Sequence, residues 1–147
     1  MARKVFFSFH FQRDCRRVNV VRNAEVIGGL EKSVLDRAEW EKVKRNGDDA
    51  VRRWIDSQLK GTSVTAVLVG RETGNRKWVK YEVQKSIELG KGLIAIDISK
   101  IKDTDGSTAN RGPNPVPSRY PLYLWNNGHG QKNLGRWIEK AAIVAGK

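Results

Sequence analysis

The side chain in this sequence with the clearest opening for chemistry is Glu82, within Asn75-Arg-Lys-Trp-Val-Lys-Tyr-Glu82-Val-Gln-Lys-Ser-Ile-Glu-Leu-Gly90. The stretch reads as an amphipathic helix closed by Gly90, with Trp78 one turn before Glu82. Stepping at 100° per residue, Val79, Val83, Ser86, Ile87 and Gly90 fall on one side. Lys77, Lys80, Tyr81, Gln84 and Glu88 fall opposite. Glu82 lands on the shoulder between them, beside Trp78 and Leu89. A carboxylate at the edge of a core, flanked by an indole, is either a functional group or a boundary residue paired with Lys85 for about 0.3–0.5 kcal/mol. Periodicity alone leaves both open.

Other chemistries are discounted by what is missing. The residues after the first apolar run are His10-Phe11-Gln12-Arg13, with no glycine-rich turn for a dinucleotide or a P-loop. A phospho-receiver needs an Asp at the end of the central strand, where Gly70 stands. There is no Gly-x-Ser-x-Gly elbow for a serine nucleophile. His10, His129 and Cys15 have no ligand spacing, so no metal site is expected. What survives is Glu82, with aromatic and hydrogen-bonding groups converging from other loops.

The elements that must position it follow from patterning. Lys4–Phe9 reads as a first strand, and Asp14 to about Ile27 as a helix capped by Asp14 and ended by Gly28-Gly29. Ser33–Asp36 reads as a weak second strand and Glu39–Lys44 as a turn or two of helix. A clearer helix runs from Asp48 to Gly61, with Val51, Trp54, Ile55 and Leu59 on one face. Val64–Gly70 and Leu93–Ile98 are continuously apolar, as strands buried on both faces are. Leu122–Trp125 gives a last short strand, and a terminal helix carries Leu134, Trp137, Ile138 and Ala141. Between them, residues 99–121 form an irregular insertion holding all four prolines. A loop that long is either functional or poorly ordered. Alternating strands and helices predict an α/β fold: a mostly parallel five-stranded sheet with helices on both faces, in one domain spanning 1–147. The ligand crevice then lies at the carboxyl ends of the strands. That singles out Phe9–Arg13, Asp36–Trp40, Gly70–Trp78 and the loop after Ile98.

Bulk properties bound the partners. Twenty-eight Lys and Arg against sixteen Asp and Glu give a formal net charge of +12. Such a field favours polyanions, or else merely solvates the surface, since the cations are scattered. No apolar run approaches the roughly 20 residues that span a bilayer, so no membrane partner is expected. The single Cys15 permits no internal disulfide and fits a cytoplasmic setting.

Three segments carry a family resemblance. Lys4-Val-Phe-Phe-Ser-Phe-His10, Asp36 after a weak second strand, and the Trp78-x-x-x-Glu82 spacing look like a TIR domain, a flavodoxin-like fold. More narrowly, Val5–His10, Arg17-Val-Asn-Val-Val-Arg-Asn23 and Gly112-Pro-Asn-Pro115 resemble the ThsB-type TIR-like proteins of Thoeris anti-phage defence. The resemblance spans essentially the whole chain. It implies cleavage of NAD at the nicotinamide–ribose bond, with production of a cyclic ADP-ribose-type messenger that acts on a separate effector protein. NAD would be the substrate, with no further cofactor. The glutamate matching Glu82 is the family's catalytic residue, and Phe9, His10, Phe11, Asp36 and Trp78 are the implied substrate contacts. The first-strand exit Phe9-His10-Phe11 departs from the Tyr-Arg-Arg type of animal TIR enzymes.

One carboxylate suffices for this reaction. A glycosidase must protonate its leaving group, whereas nicotinamide leaves NAD as a neutral molecule and positive charge builds on the ribose. Glu82 would stabilise that charge, an effect worth about 3 kcal/mol by analogy with other sites. Aromatic rings from Trp78, Phe9 or Phe11 would stack on the bases. The competing functions are a catalytically silent TIR-like module working by homotypic assembly and, less favoured, a basic nucleic-acid-binding protein. Each residue also has a bland role: Trp78 covering the sheet, His10 a structural histidine, Asp36 a helix cap, Ser8 bonded locally within its strand, Gly112–Pro115 a rigid surface turn.

Overall fold

The computed structural model describes residues 4–22, 31–33 and 37–147; side chains are described for all of these except 11–13, 15, 22, 31–33 and 37–40. Among the described residues, five strands, β1 (Lys4–Ser8), β2 (Glu31–Ser33), β3 (Val64–Val69), β4 (Gly92–Asp97) and β5 (Leu122–Leu124), form one sheet in the order β2-β1-β3-β4-β5. Every recorded pairing is parallel. Among the described residues, four α-helices lie between strands, α1 (Phe11–Arg22), α2 (Arg37–Arg45), α3 (Asp48–Lys60) and α4 (Lys77–Glu88), and α5 (Gly130–Val144) follows the last strand. The expected five-stranded α/β arrangement is therefore found.

Strand alternation sorts the core into two layers. Val5 and Phe7 of β1 with Val64, Ala66 and Leu68 of β3 face Val18, Val21, Leu134 and Ile138 of α1 and α5. On the other side, Val67 and Val69 meet Val79 and Val83 of α4. Phe6 meets Val51, Ile55 and Leu59 of α3. All six residues of β3 are buried, which is why its sequence lacks alternation. The order places the topological switch between β1 and β3, where neighbouring crossovers leave in opposite directions and a crevice opens.

Several boundaries differ from the patterning. Helix α1 starts three residues before Asp14, so Asp14 sits in its first turn and does not cap it. Its carboxylate is turned inward instead. The expected end at Gly28-Gly29 lies outside the described residues. The second strand is Glu31–Ser33 rather than Ser33–Asp36, of which 34–36 also lie outside. Helix α2 is longer than two turns. Helix α4 ends as expected: Gly90 takes φ +66°, and the Lys91 N–H donates to the Ser86 carbonyl at 3.1 Å. Only glycine takes that conformation cheaply.

The insertion after β4 packs into the core. Ile101 and Val116 are buried in opposite layers of the core. The Gly112 N–H donates to the Gly70 carbonyl at 3.1 Å, and a Cβ on Gly112 or Gly74 would collide with the Arg71 or Pro113 carbonyl. Gly112–Pro115 is therefore clamped onto the end of β3; it is not simply a surface turn.

Candidate active site

Glu82 sits in the second turn of α4 and is only 7% exposed, buried rather than on the shoulder of the helix. Its Oε1 accepts a hydrogen bond of 3.3 Å from the Ser8 hydroxyl. Ser8 ends β1, so the carboxylate lies beside the topological switch. The bond joins residues 74 apart, and Ser8 is thus not bonded locally. The expected Lys85 partner belongs to Glu88, at 3.9 Å. One turn on, the Ser86 hydroxyl donates to the Glu82 carbonyl at 2.7 Å and shares a 2.8 Å hydrogen bond with Thr65 of β3. Deeper under α4, the Lys91 ammonium bonds the Thr62 hydroxyl and stands 5.8 Å from the centre of the Phe6 ring. A polar seam therefore runs beneath an otherwise apolar helix face.

Burial dominates the electrostatics of that seam. It pushes the Glu82 carboxyl up to about 8, against the opposing pulls of the Ser8 hydrogen bond and the Lys91 charge. Burial likewise pushes Lys91 down to about 7, countered by Glu82 and reinforced by Lys147. Both shifts run toward the uncharged forms, as they do wherever desolvation exceeds a pair's attraction. A cation arriving beside Glu82 would reverse its shift.

The remaining candidates are only partly gathered. Trp78 is half-buried between α3 and α4, against the Phe6 cluster and edge-on to Tyr81 at 5.9 Å. Arg52 and Lys77 stand over its ring at 5.8 and 4.8 Å. It shares the sheet face of Glu82 and helps pack α4 on α3. Phe9 packs against the opposite layer, with α1 and α5. His10 is buried, and its carbonyl accepts the Asp14 N–H at 3.0 Å. The Phe11 backbone opens α1 while its side chain lies outside the description; Asp36 lies outside the described residues altogether.

A second cluster, which patterning does not reveal, fixes the rim. Asp14 and Arg17 are both buried and paired at 3.3 Å. The Arg17 Nε donates to the Ile101 carbonyl at 2.8 Å, and its Nη2 to the Ser107 carbonyl at 3.4 Å. Thr73 accepts the Gly70 N–H at 2.8 Å and donates to Asp14 at 3.5 Å. A side chain on Gly70 would strike the Asp14 carboxylate. The first turn of α1, the end of β3 and the insertion are thereby tied together around the mouth of the crevice. Asp14 and Arg17 at helical i, i+3 spacing are the one sequence signal of this knot.

Among the described residues, no group of three or more His, Cys, Asp or Glu could hold a metal ion, and no helix is long and apolar enough to cross a membrane. Compared with known proteins, residues 6–103 match the family described as Thoeris protein ThsB, TIR-like domain. A Bacillus cereus protein named "Putative cyclic ADP-D-ribose synthase ThsB1" is 44% identical over 140 residues, covering 93% of this chain and 72% of its own length. A solved structure of RosB with a bound formylriboflavin phosphate intermediate superposes at a TM-score of 0.44 and 10% identity, over 97% of this chain and 77% of that one; a likeness so loose carries no weight on function. The chain belongs to the ThsB TIR-like domain family of Thoeris proteins.

Proposed function

We propose that this chain, as a single domain over 1–147, cleaves NAD at the nicotinamide–ribose bond and closes the remaining ADP-ribosyl unit into a cyclic messenger of anti-phage defence. The observation that carries the reading is a buried carboxylate, Glu82, hydrogen-bonded to Ser8 at the switch point of a ThsB TIR-like fold. The name of the Bacillus cereus relative, a putative cyclic ADP-D-ribose synthase, points the same way.

The bond from the ribose C1′ to the pyridinium nitrogen breaks, and its electron pair leaves with neutral nicotinamide. Positive charge grows on the ribose, and Glu82, ionised by the cation now beside it, stabilises that charge. A nucleophilic group of the same molecule then attacks C1′ and gives up one proton to solvent, and the water-poor setting around Glu82 favours this over hydrolysis. Phe9, His10, Phe11, Asp36 and Trp78 are the proposed substrate contacts, and NAD is the only small molecule required. The protein works in the cytoplasm, self-associates, and hands its product to a separate effector; neither a membrane nor nucleic acid is a partner.

Burial of Glu82 also favours a second reading, a catalytically silent module in which Glu82–Ser8 is a structural polar pair. Incubation of the protein with NAD and lysate of phage-infected cells, followed by chromatography, separates the two. Nicotinamide and a cyclised ADP-ribosyl product in equal amounts are expected; NAD left intact under those conditions would favour the silent module.

A further inference from the structure

The edge of the sheet opposite the crevice carries a cavity of about 560 Å³ that the reaction at Glu82 does not use. It opens where β5 stops short of β4. The Ala95 N–H donates to the Pro121 carbonyl at 3.0 Å, and the Trp125 N–H to the Asp97 carbonyl at 3.0 Å. The odd-numbered residues of β4 therefore turn their peptide groups toward β5, whereas the Gly92 N–H donates the other way, to Ser63. Leu93 is next in the outward series. Pairing with β5 begins at Ala95↔Leu122. The residue that would donate to the Leu93 carbonyl is Pro121, which has no N–H. One strand-edge donor and acceptor thus lie side by side at the cavity wall, without a partner on β5.

The remaining walls select a ligand class. Tyr120 and Tyr123 give flat apolar surfaces, and Tyr123 is held by stacking on Trp137 at 4.4 Å. Arg119, its guanidinium 4.9 Å above the Tyr120 ring, and Lys140 of α5 stand at the mouth, both exposed. No Asp or Glu lines the cavity. Lys91 also lines the cavity, with its ammonium bonded to the Thr62 hydroxyl. The volume suits a drug-sized molecule. A single donor–acceptor pair suits the edge of a planar base, whereas an added peptide strand would need several such pairs in a row.

We propose that this notch is a second small-molecule site, which takes a nucleoside phosphate with its base edge on the Leu93 backbone and its phosphate on Arg119 and Lys140. Glu82 does not line the site, so its ligand would modulate the protein and not be consumed there.

The test titrates ADP by calorimetry into full-length Glu82→Gln protein, with and without Arg119→Ser and Lys140→Ser, and follows the Leu93 amide by NMR. The expected result is saturable binding that shifts the Leu93 amide and weakens about tenfold or more in the double variant, as loss of charge-assisted contacts does. Absence of saturable binding, equal affinity in the double variant, or an unmoved Leu93 amide would each overturn the proposal. Because ADP has no nicotinamide to lose and Glu82 is already replaced, failure here leaves the reading of the crevice standing.

Discussion

A carboxylic acid buried beneath a helix beside a serine hydroxyl is costly to ionise, and this sets its behaviour in the free protein. The folded state keeps the Glu82 proton up to about pH 8, while the unfolded chain releases it near the ordinary value of 4.5. The folded state therefore binds more protons across that window, and stability falls as pH rises from about 4.5 to about 8, the full penalty being present above it. At pH 9 Lys91 is largely neutral too and offers little compensation. Glu82→Gln is accordingly expected to raise the melting temperature by about 5 °C or more at pH 9 and by little at pH 5, since about 1 kcal/mol moves a domain of this size by roughly 2–4 °C. Equal effects at both pH values would contradict the burial argument. Catalysis follows the same proton. If the ionised carboxylate does the work, kcat/KM should rise with pH up to about 8, and kcat should level off at lower pH, because the bound cationic ring favours ionisation. In Ser8→Ala, which lacks the hydrogen bond to the charged form, the kcat/KM limb should move to higher pH; an unshifted profile would remove Ser8 from the account.

The elements show why some of this arrangement was legible and some was not. Strands β3 and β4 and helix α4 follow from local pattern, because continuous apolar runs and a 3.6-residue period are properties of the segments themselves. Asp14 misled for the opposite reason. A short acid before an apolar-periodic stretch reads as a cap, but its partners are Arg17, Thr73 and, through Arg17, the carbonyls of Ile101 and Ser107 more than 80 residues away. Ser8 misled likewise: it shares with Phe6 the face of β1 that turns toward α3, and a polar residue in a strand buried on both faces was the available sign of a buried partner. The helical wheel placed Glu82 on a shoulder because it cannot show that α3 closes over that side. Arg17→Met would take the Arg17 cation away from the Asp14 carboxylate, 0% exposed, and release the insertion from α1. A loss of about 3 kcal/mol is expected in urea denaturation; a change below about 1 kcal/mol would mean that the knot does not hold the rim.

For the whole molecule, the parallel sheet with its switch between β1 and β3 brings the first-strand exit, the α4 carboxylate and the clamped insertion to one edge, and leaves a cationic notch at the other. The surplus of positive charge draws polyanions without specifying them. Generic duplex DNA, if bound at about 50 mM salt, should therefore be lost on the order of a thousandfold by about 200 mM; tight binding to one sequence that ignores salt would demand a nucleic-acid function instead. Catalysis is the narrower matter and rests on Glu82. Its most direct test compares nicotinamide release from NAD by wild type and Glu82→Gln in the presence of phage-infected lysate, with thermal unfolding of both. Release by wild type, none above background by Glu82→Gln, and a variant at least as stable as the parent are expected; equal release by the two proteins would rule out catalysis by Glu82.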